Sequence, residues 1–176
     1  MKNGGMDEGR GRPVVVVMGV TGSGKTTVGR LLADRLGVEY ADGDAFHPPE
    51  NVAKMAYGLP LDDEDRRPWL EALGEWIGER SRAGRGGVVS CSALRRRYRD
   101  TLRQADPRLW FVHLDADRET IIHRVSTRHG HFMPVALVES QFRALEPLLP
   151  DEPGIVVDAS LPLTEIVDTA LSLLHT

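Results

Sequence analysis

The 176-residue chain reads as an α/β protein: a three-layer domain built on a five-stranded parallel sheet. Two observations predict this. Short apolar runs bounded by turn residues alternate with stretches whose apolar residues recur at helical spacing, and a glycine-rich loop joins the first run directly to the first helical stretch. Strands that alternate with helices need right-handed βαβ crossovers, which produce a parallel sheet covered on both faces.

The predicted strands are Val14–Met18, a weaker run at Val38–Ala41, Val88–Cys91, Leu109–Leu114 and Ile155–Val157. Near-continuous apolar character suits strands buried on both faces. Between them, Val28, Leu31, Leu32 and Leu36 fall on one helical face, as do Trp69, Leu70, Leu73, Trp76 and Ile77, and then Ile121, Ile122 and Val125. The last segment, with Leu163, Ile166, Val167, Ala170, Leu171 and Leu174, follows the same rule and closes the fold as a core helix. No repeat or long linker divides the chain, so residues 13–176 form one domain behind a Gly-rich, charged tail, Met1 to Arg12, expected to be disordered.

Composition narrows the function. A net charge of −4 offers no global attraction to nucleic acid or an anionic membrane. The single cysteine, Cys91, cannot form an internal disulfide or complete a zinc site. The N-terminus has no secretory pattern, and Val14–Met18 is far shorter than the roughly 18 apolar residues of a membrane span. A cytoplasmic protein with a small-molecule partner is expected.

After the first strand comes Gly19-Val20-Thr21-Gly22-Ser23-Gly24-Lys25-Thr26, which satisfies G-x-x-x-x-G-K-[ST] in the required strand–loop–helix context. This is a P-loop, and the fold class becomes a P-loop NTPase. Gly22, Ser23 and Gly24 let backbone N–H groups converge on phosphate, Lys25 reaches the β- and γ-phosphates, and the hydroxyl of Thr26 serves Mg²⁺, with Thr27 beside it. ATP and Mg²⁺ are the expected cofactors.

The second strand runs into Asp42-Gly43-Asp44 at the carboxyl edge, where parallel sheets place ligands. One acid there can hold Mg²⁺ through water and the other can accept a proton from an attacking hydroxyl. Taken alone, an Asp-Gly turn on the surface reads equally well. Next follow His47, Lys54, Arg66, Arg67 and the cluster Arg95, Arg96, Arg97 and Arg99, a wall suited to a polyhydroxylated anion; Arg96, Arg97 and Arg103 read as surface charge. The polar, glycine-containing stretch Arg128 to Pro134 reads as a short mobile lid, and Arg124 and Arg128 lie one helical turn apart at its start. His129 and His131 lie in that stretch without acidic or thiol partners at metal-ligand spacing.

These residues together resemble the gluconokinases, relatives of shikimate kinase. The resemblance runs through the P-loop, Asp42-Gly43-Asp44-Ala45-Phe46-His47-Pro48, Asn51, Lys54-Met55, Asp65-Arg66, Pro68-Trp69-Leu70, Cys91-Ser92-Ala93-Leu94, Tyr98-Arg99-Asp100, Gly130-His131-Phe132 and Ser140-Gln141-Phe142. It implies transfer of the ATP γ-phosphate to the terminal hydroxyl of D-gluconate. It further implies Asp44 as substrate-orienting base with Lys25 and Arg128 catalytic, and Asp42 as the water-mediated magnesium partner. His47, Lys54, Arg66, Ser92, Arg99 and His131 would line the gluconate pocket, Arg124 would stack on adenine, and Val157-Asp158-Ala159 would mark the adenine-side loop. A homodimer is implied as well. Arg95 departs from the lysine expected after C-S-A-L, a fork in place of a point donor.

Two other readings stand beside this one. The first is a P-loop kinase for another small acceptor, shikimate or a different sugar acid. The second is a nucleotide-switch module of GTPase type; Asp151-Glu152-Pro153-Gly154 matches D-x-x-G formally, but far too late in the chain, and no N-K-x-D accompanies it.

Overall fold

In the computed structural model, residues 11–127 and 135–174 are described. Strands β1 (Val14–Met18), β2 (Tyr40–Asp42), β3 (Gly87–Ser90), β4 (Trp110–Asp115) and β5 (Gly154–Asp158) form one sheet in the order β2-β3-β1-β4-β5, with every pair parallel. The five-stranded parallel sheet is as expected. Helices α1 (Lys25–Leu36), α2 (Pro49–Ala56), α3 (Asp63–Arg82), α4 (Arg96–Arg103), α5 (Arg118–Thr127), α6 (Val135–Ala144) and α7 (Leu163–Leu174) connect and cover it.

Strand β1 is the centre of the sheet, and period-2 alternation divides its apolar residues between two cores. Val14, Val16 and Met18 pack with Trp69, Leu73 and Ile77 of α3. Val15 and Val17 pack on the opposite face with Val28 and Leu32 of α1 and with Ile166, Val167 and Ala170 of α7. Covering on both faces explains why β1 reads Val-Val-Val-Val-Met without polar interruption.

Strand β1 has the expected bounds, and the boundaries of the other four shift by one or two residues, most at β2. Gly37 ends α1 in the left-handed region at φ 67°, and the N–H of Val38 still bonds back to the carbonyl of Ala33. Val38 therefore belongs to the helix cap, and pairing reaches Asp42 opposite Ser90 instead. Helices α2 and α4 lack a sequence signal. The α4 segment, Arg-Arg-Tyr-Arg-Asp-Thr-Leu-Arg, buries only Tyr98, Arg99 and Leu102, so its buried face is not apolar.

The chain moves outward from β1 to β2, returns through β3, and then crosses β1 to β4 and β5. Crossovers on both sides of the central strand leave a crevice at its carboxyl end. The P-loop leaves β1 at that point.

Candidate active site

The loop after β1 turns into α1 through Gly24, which caps the helix at φ 99°. That conformation disfavours any residue with a Cβ, and it aims the first N–H groups of α1 into the crevice. The Ser23 hydroxyl is turned inward, donating to the Val20 carbonyl at 2.7 Å, so only its backbone can meet a ligand. Lys25 Nζ donates to the carbonyls of Gly19 (3.0 Å) and Val20 (2.9 Å). A cavity of about 140 Å³ lies over this turn, lined by Gly22, Gly24, Lys25, Thr26 and Thr27 and faced by Asp42, Asp44 and Ser90.

The chemistry of this lining fits a magnesium–phosphate group. Convergent N–H groups and an ammonium suit phosphate oxygens. The Thr26 hydroxyl and two carboxylates are hard oxygen donors, too few for an all-protein cage and right for Mg²⁺, which keeps waters and phosphate oxygens as its other ligands.

Asp42 and Asp44 reach this cavity through a close backbone approach. A single 3-10 turn, Gly43–Phe46, follows β2 and is capped by Asp42, whose carboxylate accepts the Asp44 N–H at 2.9 Å. Gly43 lies against β3 so tightly that a Cβ there would sit 2.2 Å from the Ser90 carbonyl oxygen. Its own carbonyl accepts the indole N–H of Trp69 at 2.8 Å. Crowding around the Asp44 carboxyl and the charge of Asp42 raise its pKa above the ordinary value, with Lys25 opposing.

A second cavity of about 160 Å³ adjoins the first and shares Thr21, Lys25 and Asp44 with it. It is smaller than the roughly 300–1,000 Å³ typical of drug-sized ligands and suits a small polar molecule. His47, Arg66 and Ser92 line it, together with polar Ser140 and Gln141 and apolar residues that include Met55, Leu61 and Trp69. His47 is stacked on Trp69 with ring centroids 4.5 Å apart and planes 9° from parallel. Burial and the Arg66 charge push its pKa down to about 4, so the imidazole is neutral. Asn51 Nδ2 lies 3.2 Å from His47 Nδ1, and with the amide as donor Nδ1 accepts, which leaves Nε2 carrying the proton. Arg66 donates to the Leu61 carbonyl (2.5 Å) and the Tyr98 hydroxyl (3.1 Å).

Other expected positions are placed differently. Lys54 is held to Asp65 at 2.7 Å and is not among the residues lining the cavity. Arg99 is a correction: its side chain has no exposed surface and forms a bidentate pair with the equally buried Glu152. It therefore faces the interior and not the pocket. The reason is the orientation of α4, which turns Tyr98 and Arg99 inward while Arg96 and Arg97 pair with Asp151 and Asp63 at the surface. Arg124 donates to the carbonyls of Gly22 (3.2 Å) and Ala159 (3.3 Å), bridging the phosphate loop to the segment after β5. Arg128 and His131, with the stretch expected to act as a lid, lie outside the described residues.

The contribution of α6 was not legible in the residue pattern. Gln141 Oε1 accepts the Thr21 N–H at 2.6 Å, placing α6 directly against the phosphate loop. Only the Ser-Gln-Phe match within the resemblance hinted at this. A wider groove of about 540 Å³ lies beyond Arg66, between α3, α4 and α6. It contains no phosphate-loop residue, so the reactive centre belongs to the two smaller cavities.

Comparison with known proteins agrees with this geometry. The shikimate kinase family profile matches residues 21–152. A gluconokinase of Gluconobacter oxydans is 50% identical over 143 residues, covering 81% of this chain and 80% of that protein. The thermosensitive gluconokinase of Escherichia coli is 48% identical over 141 residues, 80% of this chain and 75% of its own. Among solved structures, a Sinorhizobium meliloti gluconokinase superposes with a TM-score of 0.85 at 46% identity, covering 94% of this chain and 93% of its own. The Aquifex aeolicus shikimate kinase, at 19% identity and a TM-score of 0.59 over 92% of this chain and 95% of its own, shares the fold alone. A phosphate loop, a carboxylate pair at the sheet edge and an adjoining small polar pocket, together with these matches, show that the chain belongs to the gluconokinase family of shikimate-kinase-like P-loop kinases.

Proposed function

We propose that this chain transfers the γ-phosphoryl group of ATP to the terminal hydroxyl of D-gluconate, yielding ADP and 6-phosphogluconate. The observation that carries the reading is that the phosphate cavity and the acceptor cavity share Thr21, Lys25 and Asp44. A hydroxyl in one cavity can thus meet a phosphoryl group in the other. Family membership beside gluconokinases supports the choice of acceptor.

Asp44 orients the hydroxyl and accepts its proton as the oxygen–phosphorus bond forms and the bond to ADP breaks. Lys25 exchanges its bonds to the Gly19 and Val20 carbonyls for phosphate oxygens and stabilises charge developing in transfer. His47, held neutral on Trp69, offers its Nε2–H to a substrate oxygen, and Arg66 supplies positive charge for the acceptor carboxylate. Ser92 is a further polar contact. Thr26 and Asp42 would hold Mg²⁺, which when bound neutralises phosphate charge. Arg124 covers the nucleotide side, while Arg128 and His131 would complete the phosphate and acceptor contacts. No helix among the described residues is long and apolar enough to cross a membrane. Cytoplasmic residence and a homodimer complete the reading, the latter to be checked by light scattering.

The test is ADP release from MgATP with gluconate, shikimate and other sugar acids in turn, with the product identified by mass. Gluconate-dependent release with a phosphogluconate product is expected. Turnover with shikimate alone would overturn the acceptor, and release independent of any acceptor would overturn the kinase.

A further inference from the structure

The segment Cys91–Leu94 links β3 to α4 and supplies Ser92 and Leu94 to the acceptor cavity. Its backbone is tied to separate parts of the molecule. The Cys91 N–H donates to Val17 on β1 (3.0 Å), the Ser92 carbonyl accepts the Gly19 N–H of the phosphate loop (3.3 Å), and the Leu94 carbonyl accepts the Glu146 N–H beyond α6 (2.7 Å). Between them stands Ala93, wholly buried at φ 44°, the one residue other than glycine with positive φ among those described. An alanine in the left-handed region carries backbone strain that the surroundings must hold in place.

Arg99 supplies that restraint. Its Nη1 donates to the Ala93 carbonyl at 2.8 Å, and its Nε and Nη2 donate to Glu152 at 2.7 and 3.0 Å. Neither side chain has exposed surface. Glu152 also accepts the Leu149 N–H at 2.8 Å, so the carboxylate that aims the guanidinium is itself fixed from the far side. A planar fork can serve a carboxylate and a carbonyl together in one rigid geometry, which a lysine ammonium cannot reproduce.

We infer that Arg99 is a positioning residue for acceptor binding: aimed by Glu152, it holds the Ala93 carbonyl so that Ser92 and Leu94 are presented to the acceptor cavity. The inference rests on the kinase reading of that cavity. The phosphate loop is bonded to this segment through the Gly19 N–H, but it is also held by Ser23, Gly24 and the first turn of α1, so loss of Arg99 acts on the acceptor first.

The double variant Arg99→Met/Glu152→Gln removes both charges together and keeps an acceptor for Leu149. Its gluconate kcat/KM is expected to fall about 10- to 100-fold, the scale of a misplaced contact, while nucleotide affinity, read by fluorescent ATP-analogue titration, stays at the wild-type value. Arg99→Lys, which retains the charge pair, gives a smaller loss in the same constant and stands in if the double variant does not fold. Because Glu152 cannot reach a ligand, Glu152→Gln alone must lower gluconate kcat/KM as well. Wild-type kcat/KM in either Arg99 variant, equal loss of nucleotide affinity, or loss confined to Arg99 substitutions would each overturn the positioning role. Wild-type protein assayed alongside separates this from the parent reading: if it shows no gluconate-dependent turnover, the acceptor assignment has failed, not the restraint.

Discussion

Replacing Gly43 with alanine tests whether the acidic edge of the site is set by backbone contact. The added Cβ would lie 2.2 Å from the Ser90 carbonyl oxygen and 3.2 Å from Cys91 Cα, so Gly43 and Ser90 must separate by about 0.8 Å to reach even 3.0 Å. Neither side yields easily. Asp42 is in register with Ser90, the Gly43 carbonyl is held by Trp69 at 2.8 Å, and the Cys91 N–H is held by Val17. Overpacking of this kind costs about 3 kcal/mol, which for a domain of this size lowers Tm by about 6–12 °C. Since Asp42 and Asp44 flank the displaced residue, a shift near 1 Å should also reduce kcat by about 10²-fold. Thermal unfolding followed by circular dichroism, with ADP-release kinetics on the folded fraction, measures both. A variant with wild-type Tm and wild-type kcat would show that the edge tolerates the displacement and would refute the reasoning.

Asp44→Asn should keep nucleotide affinity and lose about 10²–10⁴-fold in kcat, because a neutral amide cannot take the hydroxyl proton; near-normal turnover in steady-state assays would exclude Asp44 as base. Burial and Asp42 raise the Asp44 pKa in the free protein, so the acid limb of the wild-type kcat/KM–pH profile should lie above the ordinary aspartate value of about 3.9, and a limb at or below it would contradict that environment. His47 and the buried His113 both have lowered pKa values, His47 down to about 4. The unfolded chain, with histidines near 6.5, binds more protons than the folded one below that pH, so their contribution to stability is full above about pH 6.5 and declines as pH falls, for His47 towards 4. A Tm unchanged between pH 7 and 5 would be inconsistent with both. Cys91 is wholly buried with its thiol pKa pushed up to about 12, so iodoacetamide should modify it only after denaturation, and rapid labelling of native protein at pH 8 would contradict its burial.

The chain's two halves of information separate along residues such as Arg99 and Gln141. Local rules identified the phosphate loop because four spaced residues between a strand and a helix have little alternative use, and they identified the central strands because double-sided burial demands unbroken apolar runs. They failed on α4, whose buried face is Tyr98, Arg99 and Leu102 and therefore has no apolar period to detect. An arginine near a site motif reads as a ligand contact until its partner is located, and Glu152 lies 53 residues away in sequence. Gln141 meets Thr21 across 120 residues by the same token.

The sequence by itself thus determined the parallel α/β architecture, the phosphate loop, the Asp42-Gly43-Asp44 edge and, through the resemblance, the family. Only the tertiary structure decided which cations face the acceptor cavity, that His47 is held neutral against Trp69, and that Arg99 is turned inward to Glu152 and Ala93. Motifs are local and survive in the linear order of residues. The direction of a side chain depends on how each helix is rotated against the sheet, and that is settled by contacts between residues far apart in the chain.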